Sequence, residues 1–314
     1  LLQFDLNRST QRFISQFFSL TRQRETTHRR ETTLTLESAL TSASTNTAAP
    51  TQSPSFTPVA VVTGGARGIG LVCVKWFLAH GYQVAMLDTE TATLKQTEQA
   101  LNDSARVLAL QCDVSIPAQV QSAIAQVEQK FGRIDALVNN AGVAVFKPIG
   151  ETTFEEFRYV LGTNLDGAFL CSQACIEVMK KNHSGSIVNI ASISGLRAST
   201  LRVAYGTSKA AIIHLTKQQA VELGTIGIRA NVVAPGPVDT EMSKLVHSVA
   251  IRSDYYDTIP MNRYGTPEEI ANAVGFLCSP EAAFINGQVL AVDGGFDASG
   301  VGIPTLRKHQ DGSI

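Results

Sequence analysis

Two groups of residues in this chain have types and spacings that support chemistry. Tyr205 and Lys209 stand four apart in Tyr205-Gly206-Thr207-Ser208-Lys209, so on a helix both project from one face. A free phenol has a pKa of about 10, too high for an efficient base near neutrality. A neighbouring ammonium favours the phenolate and moves the phenol toward the range that general acid–base catalysis needs. The second group is Thr63-Gly64-Gly65-Ala66-Arg67-Gly68-Ile69-Gly70, directly after the β-branched run Val59–Thr63. Glycines let such a turn close tightly and let a pyrophosphate approach the backbone. A helix starting near Gly68 then aims its amides and dipole at the phosphates. The turn is not the strict G-x-G-x-x-G pattern, and no Lys-Ser/Thr follows Gly70 as in a P-loop; a glycine-rich turn without a ligand is the plainer alternative.

Asp88, 18 residues after Gly70 at the end of the second apolar run, narrows the choice. A carboxylate there accepts hydrogen bonds from the adenosine ribose hydroxyls and repels a 2′-phosphate, which favours NAD(H) over NADP(H). Arg67 argues the other way, because a cation in this turn suits a 2′-phosphate; the residue after Asp88 is Thr89, neither Arg nor Lys. Asp113 is placed to meet the adenine amino group or to cap a helix before Ser115.

These residues need strand ends to hold them. Short apolar runs at Val59–Thr63, 82–87, 107–110, 134–138, 186–191, 228–233 and Val289–Val292 alternate with helical periodicities. Ser115 with Pro117 marks one helix start, with Ile116, Val120, Ile124 and Val127 as its buried face. One long helical stretch covers 154–179 and another 205–223. Thr266, Pro267 and Glu269 carry the signature of a capping box. The spacing predicts right-handed βαβ units and a single doubly wound α/β Rossmann-type domain over residues 58–297, with a seven-stranded parallel sheet. In such sheets ligands sit outside the carboxyl ends of the strands.

A net charge of −1 gives no electrostatic footprint for nucleic acid or an anionic membrane surface. No apolar run approaches the length of a membrane span. The five cysteines include no C-x-x-C pair and suggest reduced, buried thiols. The histidines form no metal-ligand spacing, and no G-x-S-x-G nucleophile turn occurs. A cytoplasmic setting is therefore expected. Residues 1–57 read as a disordered extension; the Arg- and Ser-bearing start with Phe13, Phe17 and Phe18 also fits an organelle transit peptide, against which Asp5, Glu25, Glu31 and Glu37 speak. Residues 298–314 are a tail with no readable pattern.

The chain resembles the classical short-chain dehydrogenase/reductase family. The motifs are Thr63–Gly70, Asn139-Asn140-Ala141-Gly142, Thr163-Asn164-Leu165, Ser192, Tyr205-Gly206-Thr207-Ser208-Lys209 and Pro235-Gly236 with Thr240, and Val292-Asp293-Gly294-Gly295 also fits. Ala191 stands where a second serine is frequent, and Asn286 where threonine is common. The resemblance implies hydride transfer between a nicotinamide and a carbinol carbon. It implies Tyr205 as general acid/base, Lys209 holding the nicotinamide ribose, Ser192 donating to the substrate oxygen, and Asn164 linking Lys209 to a relay water. It also implies that Gly64, Arg67, Gly68, Ile69, Gly70, Asp88, Asp113, Val114, Asn140, Ala141, Gly142, Val238 and Thr240 line the cofactor. Pro235 and Gly236 join them or serve as a plain turn. The substrate is an alcohol or ketone; the polar segment 240–263 suits a polyol, sugar or hydroxy acid. The alternatives are an NADP(H)-dependent 3-oxoacyl-(acyl-carrier-protein) reductase and a catalytically silent dinucleotide-binding regulator. A homotetramer is expected by analogy, with contacts through Val289–Gly295.

Overall fold

The apolar runs become strands wherever helices cover both faces of the sheet. β1 (Val59–Thr63) is wholly buried, and β2 (Gln83–Asp88) and β3 (Val107–Gln111) flank it on one side. On the other side lie β4 (Ala136–Asn139), β5 (Gly185–Ile190), β6 (Ile228–Pro235) and β7 (Val289–Val292). The order is β3-β2-β1-β4-β5-β6-β7 and every pairing is parallel, as expected. This computed structural model describes residues 56–300 together with 302 and 304. The expected extension over 1–57 lies, apart from Phe56 and Thr57, outside the described residues, as does most of the tail 298–314.

Alternate residues of each strand face opposite helix layers. Ala60, Val62, Val84 and Met86 pack against α1 (Gly68–Ala79) and against Leu94 of α2 (Thr91–Leu101). Val59, Val61, Ala85 and Leu87 face the opposite layer, which holds α3 (Pro117–Phe131). Beyond β4 the chain forms α4 (Phe154–Leu161), a π turn over Gly162–Asp166, and α5 (Gly167–Asn182). A short α6 (Ile193–Leu196) follows β5, then α7 (Val203–Leu223). After β6 come α8 (Glu241–Val246), α9 (Val249–Thr258) and α10 (Pro267–Cys278), the last returning to the α1 side.

Three local details differ from the sequence expectation. The long stretch over 154–179 is two helices joined by the π turn. Ile116 is 40% exposed, because it is the N-cap residue ahead of Pro117 rather than part of the buried face. Ser115 does not cap this helix; its amide and hydroxyl both donate to Asp113 Oδ1, at 2.9 and 2.7 Å. The segment 240–263 is mostly helical. The capping box at Thr266 and Glu269 forms as expected.

α10 packs closely on α1 because position 275 has no side chain. A Cβ on Gly275 would overlap the Trp76 ring of α1. Gly275→Ala should therefore cost about 1–3 kcal/mol in urea unfolding, as over-packing does. Gly150→Ala, whose Cβ would meet nothing within 4 Å, serves as the control and should leave stability nearly unchanged.

Candidate active site

The expected site residues gather at the carboxyl edge of the sheet. Between β1 and β4 the order of strands across the sheet reverses, and the two parallel strand ends are tied together by side chains. Thr63 Oγ1 accepts from the amides of Asn140 and Ala141, both at 3.0 Å. Asn140 Nδ2 donates back to the carbonyls of Thr63 at 2.9 Å and Gly64 at 3.1 Å. Gly64 lies at φ +63° and Gly68 at φ +57°, a backbone region that side chains disfavour. Gly70 serves packing instead, since its Cβ would strike the Gly64 carbonyl and come within 2.6 Å of Asn140 Nδ2.

This turn fits a pyrophosphate. The N-terminus of α1 has no side-chain cap and no acidic residue in its first turn, so its free amides face outward. A Cβ on Gly68 would meet nothing within 4 Å, which shows open space beside it. Arg67 is the N-cap residue and is exposed. Asp88 sits against the same turn: Oδ2 accepts from the Ala66 amide at 3.1 Å and Oδ1 from the Glu90 amide at 3.2 Å. Asp113 and Val114 follow β3, with Asp113 engaged in its local turn to Ser115. Asn139 turns inward: its Nδ2 donates to Ser172 Oγ at 3.0 Å and Asn189 Oδ1 at 2.8 Å. Gly236, after Pro235, donates its amide to Val292 at 3.0 Å and has Asp293 Cα 2.7 Å from where a Cβ would lie. It is thus needed for packing against the end of β7. Val238 is buried, and Thr240 caps α8.

Tyr205 and Lys209 share one face of α7, as their spacing requires, with Lys209 Nζ 5.6 Å from the centroid of the Tyr205 ring. The ammonium is 3% exposed in residue terms and donates to the Ile190 carbonyl at 2.8 Å. Burial pushes it down to about 8. Burial also raises the Tyr205 phenol above its ordinary value, opposed by the Ser192 hydroxyl and then by the charge of Arg202, while Tyr255 adds to the rise. Before a cofactor binds, this phenol is therefore held neutral. Ser192 is the N-cap of α6, and its oxygen accepts from the Ser194 amide at 3.1 Å.

Asn164 lies in the π turn and is almost fully buried. Its Oδ1 accepts from Val143 N at 2.8 Å, and its Nδ2 donates to Val143 O at 3.0 Å and Ser208 Oγ at 2.9 Å. The side chain is thus occupied in pinning the loop after β4 to α7. A Cβ at Gly142 would come within 3.3 Å of Asn164 Oδ1 and 3.5 Å of Lys209 Nζ. Gly142, Asn164 and Lys209 therefore converge on one point. Sequence reasoning did not single out Arg202, Phe146 or Val143. The signal for Arg202 was available, since a cation three residues before Tyr205 falls on the same side of the helix start.

A crevice at the reversal of a parallel sheet, with a glycine turn on one side and a phenol on the other, belongs to oxidoreductases that exchange hydride with a nicotinamide dinucleotide. A family model described as enoyl-(acyl carrier protein) reductase matches residues 64–297. The chain is 40% identical to 3-oxoacyl-(acyl-carrier-protein) reductase of Chlamydia muridarum over 242 residues, covering 75% of this chain and 96% of that protein. It is 39% identical to 2-(R)-hydroxypropyl-CoM dehydrogenase of Xanthobacter autotrophicus over 248 residues, covering 76% and 98%. A gluconate 5-dehydrogenase from Burkholderia cenocepacia, solved with NADP and tartrate, superposes with a TM-score of 0.74 at 32% identity, covering 77% of this chain and 96% of that one. The chain belongs to the short-chain dehydrogenase/reductase family, and is an NAD(P)-dependent oxidoreductase acting between CH–OH and keto groups. No described helix is long and apolar enough to cross a membrane.

The buried ammonium has a thermodynamic consequence. Unfolded, Lys209 titrates near 10.4; folded, it titrates near 8. Between these values the unfolded chain binds a proton that the folded chain has released, so stability rises with pH across that window. Below pH 8 the cost of the buried charge is fully present. Urea melts of wild type and Lys209→Met should show the wild type gaining on the variant from pH 8 to 10.4. A difference that stays flat with pH would rule this out.

Proposed function

We propose that residues 58–297 form the catalytic domain of an NAD(H)-dependent dehydrogenase/reductase of secondary alcohols and ketones, with Tyr205 as its general acid/base. The observation that carries the cofactor choice is Asp88. Its two oxygens are fixed by the Ala66 and Glu90 amides, and each keeps a further lone pair for a ribose hydroxyl. A 2′-phosphate at that position would face a fixed carboxylate.

In the oxidative direction Tyr205 acts as its phenolate, the form that Lys209 and an oxidised nicotinamide would favour once the phenol has released its proton to solvent, and its oxygen takes the proton of the substrate hydroxyl. The electron pair of the carbinol C–H bond leaves as hydride, and C–O becomes C=O. NAD, held at the glycine turn and Asp88, would supply the acceptor for that hydride and, when oxidised, a positive charge. Ser192 donates to the substrate oxygen and keeps it beside Tyr205. Lys209, held by the Ile190 carbonyl, lies beside Gly142 for the nicotinamide ribose, and Asn164 fixes the loop that faces it.

A second reading, an NADP(H)-dependent 3-oxoacyl-(acyl-carrier-protein) reductase, draws support from the exposed Arg67 in the glycine turn and from the relative of that name. Part-exposed Leu290 on the edge strand β7 supports self-association through that strand, which we take to build a homotetramer; a monomeric mass in solution would refute it.

The test is kcat/KM with NAD and with NADP over a panel of polyols, sugars, hydroxy acids and secondary alcohols. NAD should be preferred by roughly 100-fold, and Asp88→Ser should collapse that preference, mostly through loss of NAD use. Tyr205→Phe should lose ~10²–10⁴-fold in rate while still binding NADH. Activity that survives in Tyr205→Phe would reject the proposal, and a strong preference for NADP would favour the second reading.

A further inference from the structure

Arg202 stands at the mouth of the crevice, one residue before α7 begins. Its guanidinium has five N–H donors, yet its contacts are few and long. Nη1 reaches Ser194 Oγ at 3.5 Å; Nη2 reaches Tyr255 Oη at 3.4 Å and His247 Nε2 at 3.5 Å. Charge-assisted bonds run near 2.7–2.9 Å, so these neutral acceptors hold the fork only loosely. Among the described residues no carboxylate lies within ion-pair distance of Arg202. Neighbouring cations are committed elsewhere: Lys147 to Glu156 at 2.5 Å, Arg252 to Asp239 at 3.3 Å, and Arg197 to Asp297 at 2.8 Å.

The position is built. Leu201, immediately before, lies at φ +62°, a strained conformation for a branched side chain. The Lys147 amide holds it by donating to the Leu201 carbonyl at 3.1 Å. Phe146, from the same loop, places its ring 5.2 Å from the guanidinium carbon. His247 adds no charge, because burial, followed by the charges of Arg202 and Arg252, holds its imidazole below the ordinary range. Arg202 lies three residues before Tyr205 at the start of the same helix, and its Nη1 reaches Ser194 Oγ at 3.5 Å while the Ser194 amide donates to Ser192 Oγ at 3.1 Å, so a group bound by Arg202 lies within a small molecule's length of the Ser192–Tyr205 pair.

We infer that Arg202 receives a carboxylate of the substrate, which makes the alcohols oxidised by this enzyme hydroxy acids and the ketones it reduces oxo acids. The inference rests on the reading of Tyr205 as the reacting group. A planar fork with one positive charge and neutral flanking acceptors matches one planar carboxylate in bidentate fashion. A dianionic phosphate would leave charge uncompensated. Ser194, Tyr255 and His247 orient the fork and yield it to the stronger acceptor.

The test uses the full chain with NAD and hydroxy carboxylates of three to six carbons, each beside its methyl ester. The acid should exceed its ester by ~10–100-fold in kcat/KM, the range of a charge-assisted hydrogen bond. Arg202→Met should depress the acid far more than the ester, so that the ratio falls toward one; Arg202→Lys should restore part of it. A separate readout needs no turnover: malonate and succinate should perturb the fluorescence of bound NADH, with affinity at least tenfold weaker in Arg202→Met. Esters used as well as acids, a preference that survives in Arg202→Met, or no carboxylate binding to the NADH complex would overturn the inference. Ester turnover lost in Tyr205→Phe would leave the Tyr205 reading standing by itself. Arg202-dependent carboxylate binding without Tyr205-dependent turnover would separate the two in the other direction.

Discussion

The tie between Thr63 and the Asn140-Ala141 backbone is the interaction on which the rest of the site depends. The chain winds outward from β1 to β3, then returns to lay β4 on the other side of β1. Loops leaving these two strands therefore diverge and open a crevice. Four hydrogen bonds among Thr63, Gly64, Asn140 and Ala141 hold the floor of that crevice shut. Gly70 must be a glycine because the first turn of α1 is pressed against this same floor. One contact set thereby fixes the glycine turn, the start of α1 and the loop that carries Gly142.

The opposite wall is organised by burial of a charge. Lys209 sits under the end of β5 with the Ile190 carbonyl as its acceptor, in surroundings that disfavour its ionised form. The same burial holds Tyr205 protonated in the free protein. Both groups are thus poised against their ordinary ionisation, and a positive charge brought in beside them has a large effect where the dielectric is low. Asn164 belongs to this wall through the backbone. The π turn inserts an extra residue into the long helix, a feature frequent at functional sites. It rotates Asn164 inward to bond both polar groups of Val143.

Arg202 links the two walls to the outside. It lies beside the loop from β4 through Phe146 and faces α8–α9 through His247 and Tyr255. An aromatic group of His247, Tyr255 and Tyr264 supports that side, with centroids 5.3–5.9 Å apart. Arg252, paired with Asp239, stacks on the Tyr264 ring at 4.2 Å, so Arg202 is the cation of this group that neutral acceptors alone surround.

What the sequence determined by itself was whatever local chemistry writes directly: the strands, whose continuous apolar runs have no other use; the glycine turn, whose φ values only glycine adopts readily; the Thr266 cap; and the Tyr205–Lys209 face, which is a matter of helical period. Asp88 was legible because a strand end has a fixed place in a doubly wound sheet. The tertiary structure decided what depends on partners distant in the chain. α2 escaped notice because only Leu94 and Thr97 of it are buried, leaving little periodicity to read. The π turn has no compositional sign. Asn139, Asn140 and Asn164 are the same residue type, yet one braces the core, one the floor and one a loop, and only their neighbours in space separate them. Arg202 gained its meaning in the same way: a sequence records a cation, and only folding shows that no described carboxylate comes within reach to neutralise it.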